Sequence, residues 1–183
     1  MPKLILASGA ILLLALAGLA LWLDQPAAND PLRAALTERT DITAGAIYSI
    51  RLTDTEGKEQ ELGQWQHRLL LINFWATWCT PCMEEMPMLA KMQEKFRAQG
   101  LQIVGIAVDS HENVANFLQK SPAAYPLFPD QARAIEFSKR LGNHLGLLPF
   151  TVVVKPGGEV IYSRLGIVPE VEMNKIIVKN AIK

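Results

Sequence analysis

Leu69-Leu70-Leu71-Ile72-Asn73-Phe74-Trp75-Ala76-Thr77-Trp78-Cys79-Thr80-Pro81-Cys82 decides how this 183-residue chain is read. Residues 69–75 are apolar on both faces except at Asn73, as suits a central strand covered on both sides. A helical pattern starts near Pro81, a residue suited to the first helical position. Between strand and helix stand the only two cysteines of the chain, as Cys79-x-x-Cys82. That is the layout of a dithiol/disulfide redox centre. Two intervening residues let the second sulfur reach the first. With the helix starting at about Thr80, the Cys79 sulfur lies near free N–H groups that favour its thiolate. Cys79 is then the exposed nucleophile and Cys82, one turn in, the buried resolving thiol. Thr80 and Pro81 shape the loop between them.

Downstream, Met86, Leu89, Met92 and Phe96 recur at spacings of three and four and give the helix one buried face. Pro87 lacks an N–H for the Met83 carbonyl, so a kink is expected there, and Gly100 ends the helix. Residues 101–108 read as a second buried strand. Ser110 caps a helix bearing Val114, Phe117 and Leu118. Pro122, Pro126 and Pro129 break the chain around a short apolar piece at 125–128. Asp130 caps a helix to about Leu141. Residues 151–154 and 159–164 form strands about a Pro156-Gly157-Gly158 turn. Pro169 opens the last helix, with acidic residues early and lysines late, as its dipole favours.

Upstream, residues 47–53 and 58–62 read as two strands joined by an Asp54-Thr55-Glu56-Gly57 turn, with a connector at 63–67. The element order is α/β, with parallel strands at crossovers and an antiparallel hairpin near the end.

Residues 4–23 are almost unbroken apolar sequence. Twenty residues at about 1.5 Å each match the roughly 30 Å of a bilayer core. Lys3 precedes the run and Asp24 follows, which puts residues 1–3 in the cytoplasm and the remainder outside it. A cleaved signal peptide is the competing reading. Its small-x-small sites, such as Ala15-Leu16-Ala17, lie inside the run, which favours an uncleaved anchor. Residues 24–41, with Pro26 and Pro31, read as a tether, and residues 42–183 as the globular domain.

Composition narrows the partners. Half the residues are hydrophobic and the formal net charge is zero, with no basic block, which excludes a nucleic-acid partner. A zinc site needs about four ligands, and His67, His111 and His144 are scattered. No metal and no other cofactor is expected.

Phe74-Trp75-Ala76-Thr77-Trp78-Cys79-Thr80-Pro81-Cys82 resembles the active site of the thioredoxin superfamily. Three further features resemble its TlpA/ResA-like, membrane-anchored thiol–disulfide oxidoreductases: the early hairpin with its Asp-x-x-Gly turn, Glu84-Glu85-Met86-Pro87 after the second cysteine, and Leu148-Pro149-Phe150-Thr151 before a strand. The resemblance covers about residues 42–182. It implies a thioredoxin-like fold, a central mixed sheet flanked by helices, with the N-terminal β-hairpin in front and one transmembrane helix before that. It implies a redox-active disulfide between Cys79 and Cys82. It also implies a cis peptide bond before Pro149, which faces the cysteines, with the Leu148 backbone receiving a client chain as a short strand. Trp78, Thr80 and Pro81 complete that client-binding surface. Trp75 and Trp78 shield the site, although Trp75 suits plain core equally well.

Thioredoxins carry a buried aspartate six residues before the first cysteine; here that position is Asn73, which cannot act as a base. ResA-like proteins carry a glutamate three residues after the second cysteine, here Glu85. At about 100° per residue Glu85 lies roughly 60° round the helix from Cys82, and Glu84 roughly 160°. Glu85 is thus the candidate for taking the Cys82 proton. A carboxylate placed only for the helix dipole is the alternative.

The resemblance implies an enzyme tethered to a bacterial inner membrane, its domain in the periplasm. There it exchanges electrons with protein thiol and disulfide clients, chiefly as a reductase, and is recharged by a membrane thiol donor. Dedicated cytochrome c reductants often carry Pro-Glu after the cis proline, and Pro149-Phe150 departs from that. Two other functions compete. A thiol peroxidase needs Pro-x-x-x-Thr-x-x-Cys, and Ala76 stands three residues before Cys79. A copper-binding assembly factor would use the thiols with a histidine or one of Met83, Met86, Met88 and Met92, although methionines at that spacing serve a core equally well.

Overall fold

The computed structural model describes residue 42 and residues 44–180. The anchor at 4–23 and the tether at 24–41 lie outside the described residues, and among the described ones no helix is long and apolar enough to cross a membrane. The elements are β1 (Arg51–Thr53), β2 (Glu59–Glu61), β3 (Leu69–Trp75), α1 (Thr80–Phe96), β4 (Leu101–Ala107), α2 (His111–Leu118), β5 (Leu127–Pro129), α3 (Gln131–Arg140), β6 (Phe150–Val154), β7 (Val160–Leu165) and α4 (Glu170–Asn180).

Five strands form one sheet in the order β5-β4-β3-β6-β7. β4 runs parallel to β3 and to β5, while β6 is antiparallel to β3 and to β7. β3 is central and buried along its whole length, so its side chains feed two cores. Leu69, Leu71 and Trp75 join the buried faces of α1 and α4. Leu70, Ile72 and Phe74 join Phe137 of α3 and Leu52 of β1 on the opposite side. A strand buried on both faces is apolar wherever its side chains lack polar partners, which is why the pattern at 69–75 is broken only at Asn73, whose amide is hydrogen-bonded.

The helix after the cysteines forms as its periodicity predicts. Met86, Leu89, Met92 and Phe96 are buried together, and Gly100, at φ 89°, turns the chain into β4. Pro87 does not end the helix, which runs as one element from Thr80 to Phe96. The proline lies on the exposed side, where water can serve a carbonyl that lacks its intrahelical partner.

The early hairpin is shorter than the sequence pattern suggests. Only Arg51–Thr53 and Glu59–Glu61 pair, and Ala44–Ile47 forms a 3-10 turn instead. Ile47 and Tyr48 are buried because that turn folds them into the core, and the Tyr48 hydroxyl donates to the Lys155 carbonyl (2.8 Å). The connector is also a 3-10 turn, Leu62–Trp65. In the Asp54–Gly57 turn, the Asp54 carboxylate accepts the backbone N–H groups of Glu56 and Lys58 (2.9 Å each), and Gly57 takes φ 81°.

Candidate redox site

The sheet brings three chain segments to one end. β3 runs out at Trp75 into the cysteine loop. β6, antiparallel to it, enters at Phe150 opposite Phe74, so Pro149 sits at the same end. β7 leaves there too, with Leu165 opposite Phe150, and the Gly166 N–H donates to the Pro149 carbonyl (2.8 Å). The Leu148–Pro149 peptide bond is cis, as the resemblance implies. Leu148 packs against the apolar cluster that holds both cysteines.

Cys79 and Cys82 are joined by a disulfide. Cys79 is the N-cap of α1, and its sulfur accepts the Cys82 N–H (3.3 Å). The sulfur therefore lies against the first-turn N–H groups, where negative charge on it is favoured. Cys82 is 1% exposed and Cys79 only 6%, so the expected exposed nucleophile is nearly covered. In the oxidised pair its sulfur is turned inward, tied to the buried Cys82 and seated over the helix end. Thr80 and Pro81 are exposed. Trp78 is 68% exposed. Trp75 is fully buried core, its ring 5.4 Å from that of Phe117.

Glu85 is 2% exposed and belongs to a buried polar network. Its Oε1 accepts the Val168 N–H (2.8 Å) and its Oε2 accepts from the Asn73 amide (3.1 Å). The same amide nitrogen donates to Thr151 Oγ1 (3.0 Å). Burial pushes the Glu85 carboxyl above its ordinary range, and the hydrogen bonds from Val168 and Asn73 and the charge of Arg164 offset this only in part. Burial, and then the charge of Glu85, push the Tyr125 phenol upward.

A second carboxylate fixes the loop from the other side. Asp109, at the end of β4, is 4% exposed. Its Oδ2 accepts the N–H and hydroxyl of Thr77 (2.9 and 2.5 Å). Its Oδ1 accepts the Ser110 N–H (2.8 Å) and the Asn113 amide (2.7 Å). Burial pushes the Asp109 carboxyl up, but these bonds outweigh it and hold the group below its ordinary range. Asn73 as a donor, Thr151, Val168 and Asp109 are the site residues that sequence reasoning misses. Only Asp109 carries a local signal, a polar residue directly after an apolar strand and before a helix cap.

His144 is exposed in the loop before Pro149. Among the described residues no group of three or more His, Cys, Asp or Glu side chains could hold a metal ion.

A model of the Redoxin family matches residues 34–178. A thiol-disulfide oxidoreductase ResA of Bacillus cereus is 31% identical over 117 residues, 63% of this chain and 65% of that protein. The chain thus spans slightly less than two thirds of that relative's length. ResA of Geobacillus thermodenitrificans is 31% identical over 126 residues, 68% of this chain and 70% of that protein. Among solved structures, the thioredoxin-related protein from Neisseria meningitidis serogroup B is similar with a TM-score of 0.63 at 33% identity, over 70% of this chain and 97% of that one. Sequence match, sheet order and cysteine geometry agree: this chain belongs to the Redoxin family, as a TlpA/ResA-like member of the thioredoxin superfamily.

Proposed function

We propose that this chain is a thiol–disulfide oxidoreductase that reduces disulfides of protein clients. The observation that carries this is the Cys79–Cys82 disulfide at the N-terminus of α1, with the Cys79 sulfur accepting a helix N–H.

In the reaction, the reduced Cys79 thiolate attacks one sulfur of a client disulfide. The S–S bond breaks, the other client sulfur leaves as a thiolate and takes a proton, and a mixed disulfide forms. Cys82 then gives up its proton, for which Glu85 is the acceptor, and attacks the Cys79 sulfur. The second client sulfur leaves. Two electrons have passed from the cysteine pair to the client, leaving the Cys79–Cys82 disulfide and two client thiols. The Leu148 backbone beside Pro149 receives the client chain, and Trp78, Thr80 and Pro81 line its path.

The apolar run at 4–23 supports an inner-membrane anchor with the domain in the periplasm. An oxidising compartment would leave the pair oxidised, so a thiol donor in the membrane must return two electrons per turnover.

The test is reduction of the insulin disulfides, together with trapping in cells. Cys79→Ser should abolish reduction, and Cys82→Ser should accumulate mixed disulfides through Cys79, from which clients can be identified. Full activity of Cys79→Ser would overturn the assignment.

A further inference from the structure

Glu85 is held from the sheet by the Asn73 amide and from the other side by one peptide unit, the one joining Ile167 to Val168. The N–H of that unit donates to Glu85 Oε1 (2.8 Å). Its carbonyl accepts Nε of Arg164 (3.1 Å). A single peptide plane therefore stands between the Arg164 guanidinium and the buried carboxyl. Nη1 of Arg164 donates to Glu172 Oε2 (3.2 Å), in the first turn of α4. A carbonyl bound to a cation polarises its peptide, which makes the N–H on the opposite side a stronger donor.

The sheet register puts Arg164 in this place. Asn73 of β3 stands opposite Thr151 of β6, and Thr151 stands opposite Arg164 of β7. Residues opposite one another point to the same face, so the three side chains form one row across the sheet. Asn73 and Thr151 are buried. Arg164, on the edge strand, keeps its side chain 42% exposed. The segment it meets is tied down on both sides of the peptide. The Gly166 N–H donates to the Pro149 carbonyl (2.8 Å), and the Val168 side chain is buried in the core beside α1 and α4. The groups bearing on Glu85 are Cys82 on its own helix, Asn73 of β3, the Tyr125 phenol before β5 and Arg164 of β7, with Glu172 of α4 behind Arg164. Burial pushes the Tyr125 phenol, and the Tyr162 phenol near Arg164, well upward, so neither titrates with a carboxyl.

We propose that Arg164 is a positioning residue for Glu85: it holds and polarises the Ile167–Val168 peptide, and through that peptide sets how readily Glu85 takes the proton of Cys82. This rests on the thiol–disulfide reading above. Arg164 touches neither the cysteines nor the client and acts only through the backbone it grips. Glu172 opposes it, because its negative charge offsets part of the guanidinium charge that the peptide transmits.

The test is the titration of the Glu85 side-chain carboxyl carbon, followed by NMR in the oxidised full chain, where both cysteines are in the disulfide and carry no titrating thiol. Glu85→Gln identifies the resonance. In Arg164→Gln the titration should move to higher pH. Arg164→Lys keeps the charge but lacks the planar fork that reaches the Ile167 carbonyl and Glu172 together, and should move it the same way by less. Glu172→Gln keeps an oxygen for Nη1 and removes the opposing charge, and should move it to lower pH. The Arg164 and Glu172 side chains are both part-exposed, so these substitutions leave the core intact. Glu85 must be ionised to accept the Cys82 proton, so the acid limb of kcat/KM for insulin reduction should shift in the same directions. An unmoved titration in Arg164→Gln, a wild-type titration in Arg164→Lys, or acid limbs that stay fixed while the titration moves would each overturn the inference. Failure of the wild type to reduce insulin would remove the exchange reading instead, and the titrations of the oxidised protein would still decide whether Arg164 acts on Glu85.

Discussion

Replacing Glu85 by glutamine and by alanine separates the charge of this buried carboxyl from the network it holds. In Glu85→Ala two buried donors, the Val168 N–H and one N–H of Asn73, lose their acceptor. Each orphaned donor costs about 1–3 kcal/mol, so the loss is about 2–6 kcal/mol, a large share of the roughly 5–15 kcal/mol that holds a domain folded. In Glu85→Gln the side-chain oxygen can stay on the Val168 N–H. The new amide then faces Asn73, whose own amide can turn over to present its oxygen. The Thr151 hydroxyl, both donor and acceptor, reverses its role and donates. The Val168 N–H and the Thr151 hydroxyl keep a partner, so the cost should stay below that of Glu85→Ala. The charge then shows in the pH dependence. Burial raises the folded-state value of Glu85 above its ordinary 4.5, so the folded protein keeps a proton that the unfolded chain has released. The stability this contributes is complete below the ordinary value and declines as pH rises through the folded value. The assay is the urea midpoint of the oxidised protein, wild type against Glu85→Gln, from below pH 4.5 upward. Other carboxyls titrate in both proteins and cancel. Wild-type stability minus that of Glu85→Gln should fall with rising pH and then level off. A constant difference, or one that grows with pH, would refute the reasoning, the latter because hydrogen bonding to the carboxylate would then outweigh its burial.

Asp109 should behave with the opposite sign. Its hydrogen bonds hold the folded value below the ordinary 3.8, so the stability it supplies is present above that value and lost as pH falls through the folded one. Asp109→Asn should therefore flatten the acid limb of a thermal-unfolding series, and Asp109→Ala, which orphans the Thr77 and Ser110 N–H groups, should cost about 2–6 kcal/mol in urea. Gly105→Ala probes packing under the same site. A Cβ there would stand 2.5 Å from Leu127 Cδ2 and 3.0 Å from Trp75 Nε1, so overpacking should lower stability by about 1–3 kcal/mol. An unchanged urea midpoint would mean that Leu127 moves aside freely.

The legible parts of the fold are those in which the local pattern and the tertiary environment agree. Residues 69–75 are apolar on both faces and form a strand with the same bounds. Ser110 and Asp130 read as helix caps, and their side chains accept the N–H groups of Asn113 and Arg133. At 47–50 the two levels diverge. The β-rich composition of Ile47 and Tyr48 suggests a strand, yet no partner strand reaches them, and burial of both side chains is met by a 3-10 turn. In the site, the cysteines follow from their spacing at a strand-to-helix turn, and Glu85 from the resemblance, with helix geometry preferring it over Glu84. The partners of Glu85 do not. Thr151 meets Asn73 only through the antiparallel register of β3 and β6, and the contact from Val168 is a backbone N–H, which any residue but proline could supply.

The two carboxylates divide the work around the disulfide. Asp109 grips Thr77, two residues before Cys79, and with its other oxygen accepts the N–H of Ser110, the cap of α2, and the side-chain amide of Asn113, so the approach to Cys79 is tied to α2 by a carboxyl held below its ordinary range. Glu85 lies one turn past Cys82 and reaches β3 through Asn73 and the start of α4 through Val168, so the resolving cysteine is backed by a group whose burial resists ionisation. A carboxylate on the Cys79 side that readily took up protons would lose its grip on Thr77. One on the Cys82 side that never did could not receive a proton from the buried thiol. With an amide at position 73, the sheet orients the carboxyl instead of supplying it. The proton acceptor we propose then sits on the same helix as Cys82, and any shift of α1 that moves that sulfur moves Glu85 with it.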